Sequence, residues 1–306
     1  MAFDENSTLW FNGEYKRWRD ATIHVMSHVI HYGSCVFEGL RCYPDVNGGA
    51  SIFRLKEHID RLYKSAKIYR MQIPYTEEEL CEVCVDVLRK NEYKDAYIRP
   101  FAFRGYGTLG VDPRPNPVDV VIGAWVWGKY LGSEALDNGV DVRVSSWAKP
   151  AGIPALSKAG GHYLNSQLVK MEAAADGYIE GILLDQNGYV SEGSGENIFI
   201  LMDGKCYTSP IASSILKGIT RDCAMTFLKE EGIELQETFI PREMLYLADE
   251  IFFTGTAAEI TPIRSIDKVM IGNGKPGDVT KHIQKRYFDV INGKVEDKYN
   301  WLTRVY

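Results

Sequence analysis

The chain has 306 residues, 45% hydrophobic and 25% charged, the balance of a globular protein whose core needs neither disulfides nor a structural metal. Its 35 basic and 41 acidic residues leave a net charge of −6 without a long basic run, so nucleic acid is not an expected partner. The sequence contains no apolar run of membrane-spanning length, its start, MAFDENSTLWFNGE, lacks the pattern of a signal peptide, and its six scattered cysteines read as reduced thiols of a cytoplasmic protein.

Through residues 1–128 short strands alternate with two amphipathic helices. Ile59, Leu62, Tyr63 and Ala66 share one face at helical spacing. Thr76 followed by Glu79 reads as a capping box opening a helix that carries Leu80, Val83, Cys84 and Leu88. The segments AYIRPFAFRG and VDVVIGAWVWG predict strands, and GTLGVDPRPNPVD between them predicts a loop. GKYLGSEALDNG reads as an interdomain connection, assigned to 129–137. Beyond it, Asn187-Gly188 and Asp203-Gly204 each lie between strand-like runs, a strong hairpin signal. Helices are expected near 163–175, 221–231, 242–248 and 278–291. The fold class is α+β, with a first domain at 1–128 and a larger second one at 138–306. Two hairpins inside the second half fit a parallel doubly wound sheet poorly.

Three motifs tempt other readings. His24, His28 and His31 have the spacing of helical metal ligands, but no acidic base lies between the first two, so ordinary structural histidines are preferred and no metal is assigned. Cys81 and Cys84 form a CxxC inside a predicted helix without a second ligand pair, which reads as core thiols. Gly272, Gly274 and Gly277 form a GxGxxG that supports a dinucleotide-dependent oxidoreductase as a rival. Pro276 sits in that turn, and the rest of the chain is too short for a returning strand.

The chemistry-bearing candidates are weak singly. Lys158, in Ser157-Lys158-Ala159-Gly160-Gly161 before Tyr163, has small neighbours that would admit a flat ring, and a lysine of lowered pKa serves as nucleophile and base. Glu192 in YVSEGSGENIFI could accept the proton of a pyridine nitrogen, or it could cap its own turn. Gly218, Ile219 and Thr220 precede a helix, and Thr254–Ala258 form a second tight segment. Both suit a phosphate, and both suit ordinary helix capping.

In order, SKAGGHYLNS, DQNGYVSEGSGENIF, LKGITRD and ADEIFFTGTAAEITPIRS closely resemble branched-chain amino acid aminotransferases of the fold-type IV pyridoxal-phosphate enzymes. WFNGE, HVMSHVIHYGSCVFEGLRCY, SAKIYR, AYIRP and EDKYNWL agree, so the resemblance covers essentially the whole chain. It implies a small N-terminal α/β domain and a larger C-terminal domain with a β-pseudo-barrel flanked by helices. It also implies a site between the domains that borrows a loop from a neighbouring subunit, for which GTLGVDPRPNP is the candidate, in a homodimer or a higher homo-oligomer such as a hexamer.

The same resemblance assigns roles. Lys158 would hold pyridoxal 5′-phosphate covalently and shuttle the proton between the substrate's Cα and the cofactor's C4′. Glu192 would pair with the pyridine nitrogen and Tyr163 with the phenolic oxygen. Arg61 would clamp the phosphate together with Gly218, Ile219, Thr220 and Thr256, although periodicity alone places Arg61 on the solvent side of its helix. Tyr97 and the Thr256–Ala257 backbone would bind the α-carboxylate. Arg99 with Tyr32 and Tyr130 would accept glutamate's distal carboxylate, and Phe37, Tyr32, Trp127 and Tyr130, with Gly39 beside them, would form the wall for an aliphatic side chain. The chain departs from the commoner pattern at His162, where asparagine is usual, and at Lys217, where proline often stands. The implied activity is transamination of leucine, isoleucine and valine with 2-oxoglutarate, giving branched 2-oxo acids and L-glutamate. Relatives on the same fold act on D-amino acids or on (R)-amines.

Overall fold

The structure, a computed structural model, describes residues 3–128, 130–132 and 134–306. Residues 129 and 133 of the expected 129–137 connection lie outside the described residues. Two compact units divide the chain, one of Met1–Trp127, Ser157–Gly161 and Val290–Tyr306, the other of Gly128–Leu156 and His162–Asp289. This division differs from the expected 1–128 and 138–306 in the connection, which belongs to the second unit from Gly128 onward, and in two further places. The Lys158 segment belongs to the first unit, where Val36 and Ala159 form a β-bridge. The C-terminal tail also returns there, its strand Leu302–Arg304 pairing with Ala50–Phe53. Both differences arise from pairing between residues far apart in sequence, which local pattern does not encode.

In the first unit an antiparallel sheet is built from β1 (Thr8–Phe11), β2 (Glu14–Arg17), β3 (Cys35–Phe37), β4 (Leu40–Pro44), β5 (Ala50–Phe53), β6 (Ala96–Arg104), β7 (Val118–Trp125) and the strand at 302–304. From one edge the order is 302–304, β5, β4, β6, β7, β1, β2, with β3 pairing β6. A short helix, α1 (His28–Tyr32), precedes β3, and two longer ones, α2 (Leu55–Ile68) and α3 (Glu77–Lys90), lie between β5 and β6. Ile59, Leu62 and Ala66 of α2 and Leu80, Cys84, Val87 and Leu88 of α3 are buried with Leu40, Ile52, Ile98 and Ile122 of the sheet. Each large aliphatic side chain so covered contributes about 1.5–3 kcal/mol. The capping box at the start of α3 is present, Thr76 Oγ1 accepting from Glu79 N and Glu79 Oε2 from Thr76 N.

The second unit opens with α4 (Ala135–Asn138), whose Ala135 and Leu136 are buried, so part of the expected connection is core. Its nine-stranded sheet comprises β8 (Val140–Val144), β9 (Glu180–Leu184), β10 (Val190–Gly193), β11 (Asn197–Met202), β12 (Lys205–Thr208), β13 (Leu235–Glu237), β14 (Glu250–Gly255), β15 (Glu259–Ile266) and β16 (Val269–Met270). The order is β10, β9, β8, β15, β14, β11, β12, β13, with β16 on β15. Only the β8–β9, β8–β15 and β12–β13 ladders are parallel among the described residues, and the sheet is curled into a half-barrel. Helices α5 (Tyr163–Ala175), α6 (Ile219–Glu230), α7 (Met244–Leu247) and α8 (Asp278–Ile291) fall where the sequence predicts them. Both expected hairpins form, and Asp203 (φ 52°) with Gly204 (φ 74°) supplies the two positive φ values that a tight turn between twisted strands requires.

The three tempting motifs have structural duties. α1 begins at His28, so His24 is outside it. His28 bonds Ser34 Oγ at 2.7 Å and Gly110 O at 2.8 Å, and His31 bonds Val25 O at 3.2 Å. Among the described residues no cluster of His, Cys, Asp or Glu could hold a metal. Cys84 is buried in the core and Cys81 half-buried, and burial pushes both thiols up, Cys81 to about 11. Gly277 abuts Glu250, whose carboxylate accepts from Val279 N (3.2 Å) and Thr280 N (2.8 Å). A Cβ on Gly277 would lie 1.9 Å from Glu250 Cδ, so this helix start already holds an anion and the glycine serves that contact. No helix among the described residues is long and apolar enough to cross a membrane.

Candidate active site

In the first unit α2 carries two adjacent stripes. Leu55, Ile59, Leu62 and Ala66 face the core, while His58, Arg61 and Ser65, at i, i+3 and i+7, form a polar stripe beside them. Ser65 Oγ accepts from Lys158 N at 3.0 Å, and Lys158 O accepts from Phe37 N at 3.0 Å, which fixes the lysine backbone between α2 and β3. The half-buried Lys158 places its Nζ 4.9 Å from the Phe37 ring centroid. Burial lowers its pKa to about 8, the Glu38 carboxylate opposes that fall, and the Arg61 and Arg99 guanidinium groups assist it.

Arg61 is not the solvated residue that periodicity suggests. Its Nε and Nη2 donate to Glu38 Oε1 and Oε2 at 2.6 and 2.9 Å, and Glu38 is fully buried between β3 and β4. Glu38 and His58 were not marked by sequence reasoning. A signal existed: Val36, Glu38 and Leu40 occupy one buried alternation, and a carboxylate in a core register needs a partner.

Tyr97 and Arg99 share one face of β6, as strand periodicity expects. Arg99 Nη2 donates to Tyr97 Oη at 3.0 Å, and the guanidinium lies 4.7, 5.1 and 5.8 Å from the rings of Phe37, Tyr97 and Trp125. Its Nε is a buried donor with no partner among the described residues. Gly39 lets Tyr97 approach, since a Cβ there would fall 1.8 Å from Tyr97 Oη. The half-buried Trp127 packs its edge on Tyr97 at 4.6 Å. Tyr32, exposed at the end of α1, stacks on His28. The unit thus gathers Phe37, Gly39, Arg61, Tyr97, Arg99, Trp127 and Lys158, while Tyr32 stands on its surface. Past Arg99 the same sheet face lines an apolar cavity of about 440 Å3, with Leu9, Phe101, Phe103, Val121 and Trp125 on its walls.

The second unit holds the remaining candidates, and Glu192 on β10 ties several of its segments together. Glu192 Oε1 accepts from Lys149 Nζ at 2.5 Å, and Oε2 accepts from Asn197 Nδ2 at 2.9 Å and Leu216 N at 3.1 Å. Asn197 Nδ2 also donates to Leu216 O, which ties β11 to the segment entering α6. A Cβ on Gly218 would lie 2.0 Å from Asn197 Oδ1, so only glycine fits there without displacing that amide. Gly218 is the N-cap of α6 and no side chain caps that helix, which leaves its first N–H groups to a ligand or water. Ile219 and Thr220, the first residues of α6, are buried.

The β11–β14 register sets Asn197 opposite Thr254, whose buried Oγ1 has no partner among the described residues. Thr256 and Ala257 are half-buried in the turn between β14 and β15, which packs through Gly255 against Gly195. Tyr163 opens α5 and is half-buried. Tyr130 lies under Lys170 Nζ at 5.4 Å from its ring, apart from the contacts of Glu192. His162 is half-buried, and Lys217 is exposed before Gly218. Lys149 and Asn197 went unmarked in the sequence, because each acquires meaning only when β10, β11 and residue 149 come together.

The family model for amino-transferase class IV matches residues 35–266. The chain is 54% identical over 308 residues to the branched-chain-amino-acid aminotransferase of Salmonella typhimurium, spanning 100% of this chain and 99% of that protein. It is similar to a crystal structure of Escherichia coli branched-chain amino acid aminotransferase, with TM-score 0.96 and 52% identity over 98% of this chain and 100% of that one. It is also similar to the crystal structure of the branched-chain amino acid aminotransferase from Thermobaculum terrenum in its PLP-form, the holo-form, with TM-score 0.92 and 35% identity over 99% of this chain and 100% of that one.

Proposed function

We propose that this chain, which belongs to the amino-transferase class IV family, is a branched-chain-amino-acid aminotransferase. It transfers the amino group of leucine, isoleucine or valine to 2-oxoglutarate, giving branched 2-oxo acids and L-glutamate, with pyridoxal 5′-phosphate as cofactor. The observation that carries this reading is Lys158, an amine of lowered proton affinity placed against Phe37 in the unit that holds Tyr97 and Arg99.

The residues present fit the cofactor. Lys158 offers an amine that burial keeps partly unprotonated near neutrality. The uncapped start of α6 and the unpartnered Thr254 Oγ1 are donors that a phosphate would satisfy. When bound, the cofactor supplies a conjugated ring that withdraws electrons from the substrate's Cα. Lys158 would hold it covalently and, once released, carry the proton between the substrate's Cα and the cofactor's C4′. Glu192 would pair with the pyridine nitrogen, and Tyr163 would hydrogen-bond the phenolic oxygen. Arg61, Gly218, Ile219, Thr220 and Thr256 would bind the phosphate.

For the substrate, Tyr97 and the Thr256–Ala257 backbone would orient the α-carboxylate. The unpartnered Arg99 Nε and its aromatic surround would accept glutamate's second carboxylate, while Phe37, Gly39 and Trp127 with Tyr32 and Tyr130 would give leucine's side chain an apolar wall. An arginine already lying over aromatic faces can serve both, because the same rings contact aliphatic carbon and support the guanidinium.

A homodimer, or a higher oligomer such as a hexamer, is part of the proposal. Its support is the apolar cavity beyond Arg99 and the loop between β6 and β7, which exposes Tyr106, Leu109 and Val111. A cytoplasmic setting accords with six free cysteines, four of them buried. Half-reactions of the purified protein with L-leucine, D-alanine and a chiral arylalkylamine test the activity. Leucine is expected to convert the bound cofactor fastest, and faster conversion by D-alanine or the amine would overturn the substrate assignment.

A further inference from the structure

We infer that Glu38, with His58, is a positioning residue of this site, locking the Arg61 guanidinium in place and balancing the charge around Lys158. The phosphate half of this inference rests on the function proposed above. The Lys158 half rests on the first unit alone, where Phe37 N, next to Glu38 in sequence, donates to Lys158 O at 3.0 Å and Ser65 Oγ, on the same helix stripe as Arg61, accepts from Lys158 N at 3.0 Å.

Glu38 is completely buried, yet both of its carboxylate oxygens have donors. Oε1 accepts from Arg61 Nε at 2.6 Å, and Oε2 accepts from Arg61 Nη2 at 2.9 Å, from His58 Nδ1 at 2.7 Å and from Gly39 N at 3.2 Å. Burial acts to raise its pKa, but the Arg61 charge and the His58 contact outweigh that and hold Glu38 ionised well below the usual carboxylate range. Burial lowers the pKa of His58 against the pull of Glu38, so His58 is neutral near pH 7 and its Nδ1–H is the donor. Glu38 and Arg61 therefore form a bidentate pair of zero net charge, with a neutral imidazole fixing the carboxylate's second oxygen.

Two consequences follow from that balance. The Nε edge of Arg61 is committed to Glu38, so the orientation of the planar guanidinium is set before any ligand arrives. The carboxylate also offsets guanidinium charge at Lys158, which feels Arg61 and Arg99 as well as Glu38. Without Glu38 the amine would lose the group that most strongly opposes the two guanidinium charges. His58, Arg61 and Ser65 stand on one stripe of α2, so a single helix face holds the carboxylate, the guanidinium and the backbone of Lys158 together.

Glu38→Gln and Glu38→Asp test this beside the wild type. In protein freed of cofactor, the pH dependence of reductive methylation of Lys158, read on its peptide by mass spectrometry, reports the amine directly and should have a midpoint of about 8 in the wild type. Glu38→Gln should lower that midpoint by about one unit, shift the pH-dependent absorbance of the holoenzyme's bound cofactor in the same direction, and release cofactor about tenfold faster. Glu38→Asp keeps the charge on a shorter stem, so its midpoint should stay near that of wild type while cofactor release is faster. A folded Glu38→Gln protein with wild-type midpoint and release overturns the inference. If that variant does not fold, Glu38→Asp decides, and wild-type release from it overturns the positioning role. Arg61→Gln that releases cofactor at the wild-type rate would overturn the phosphate half alone, leaving the methylation midpoint to judge Glu38's hold on Lys158.

Discussion

Lys158 and Glu192 are both chargeable groups withdrawn from water, and the protein supports them by different means. Around Lys158 the support is a balance of full charges, with Glu38 set against Arg61 and Arg99 and burial working against the ammonium. Around Glu192 it is mostly a matter of fixed donors, an amide side chain and a backbone N–H on Oε2, with Lys149 on Oε1. A balance of charges is sensitive to the removal of any one of them. A set of donors fixed by β11 and the entry to α6 holds its geometry and leaves the opposite oxygen to whatever cation is present. In the proposed roles, the first arrangement suits a group that gains and loses a proton, and the second suits one that is held opposite a ring nitrogen.

Glu192→Gln breaks the second arrangement most sharply. The amide retains an oxygen for Asn197 and Leu216 but brings no charge to the ring nitrogen. Turnover with leucine is expected to fall by about a hundredfold or more while absorbance still shows bound cofactor, and unchanged turnover would remove the proposed role. Arg99→Ala sharpens the first arrangement with a smaller effect. Loss of the guanidinium should slow the glutamate half-reaction by about tenfold and the leucine half-reaction much less, as measured by single-turnover absorbance. Equal losses would separate Arg99 from the distal carboxylate.

These contrasts also explain what could be read from the sequence. Local signals were sufficient where the structure is local. Thr76 and Glu79 made their capping box, the Asp203-Gly204 turn made its hairpin, and Tyr97 and Arg99 lie on one strand face. Lys158 and Glu192 stood in blocks long enough to be compared with a family, although neither was persuasive from its neighbours alone. His58, Lys149 and Asn197 were not legible, and Glu38 offered only a charge among apolar neighbours, because their partners are tertiary. The side chain at 38 meets 58 and 61 only after β3, β4 and α2 pack, and Asn197 gains its place from a β11–β14 register that sets it opposite Thr254. Arg61 shows the limit of periodicity. It lies off the apolar face of α2, and what draws it inward is one buried carboxylate rather than a hydrophobic neighbour.

The central claim is that Lys158 is the group that holds the cofactor. Borohydride reduction of the holoenzyme followed by peptide mapping tests it most directly. The account predicts loss of the cofactor's visible absorbance and one modified peptide carrying Lys158. Fixation to a peptide without Lys158 would contradict it.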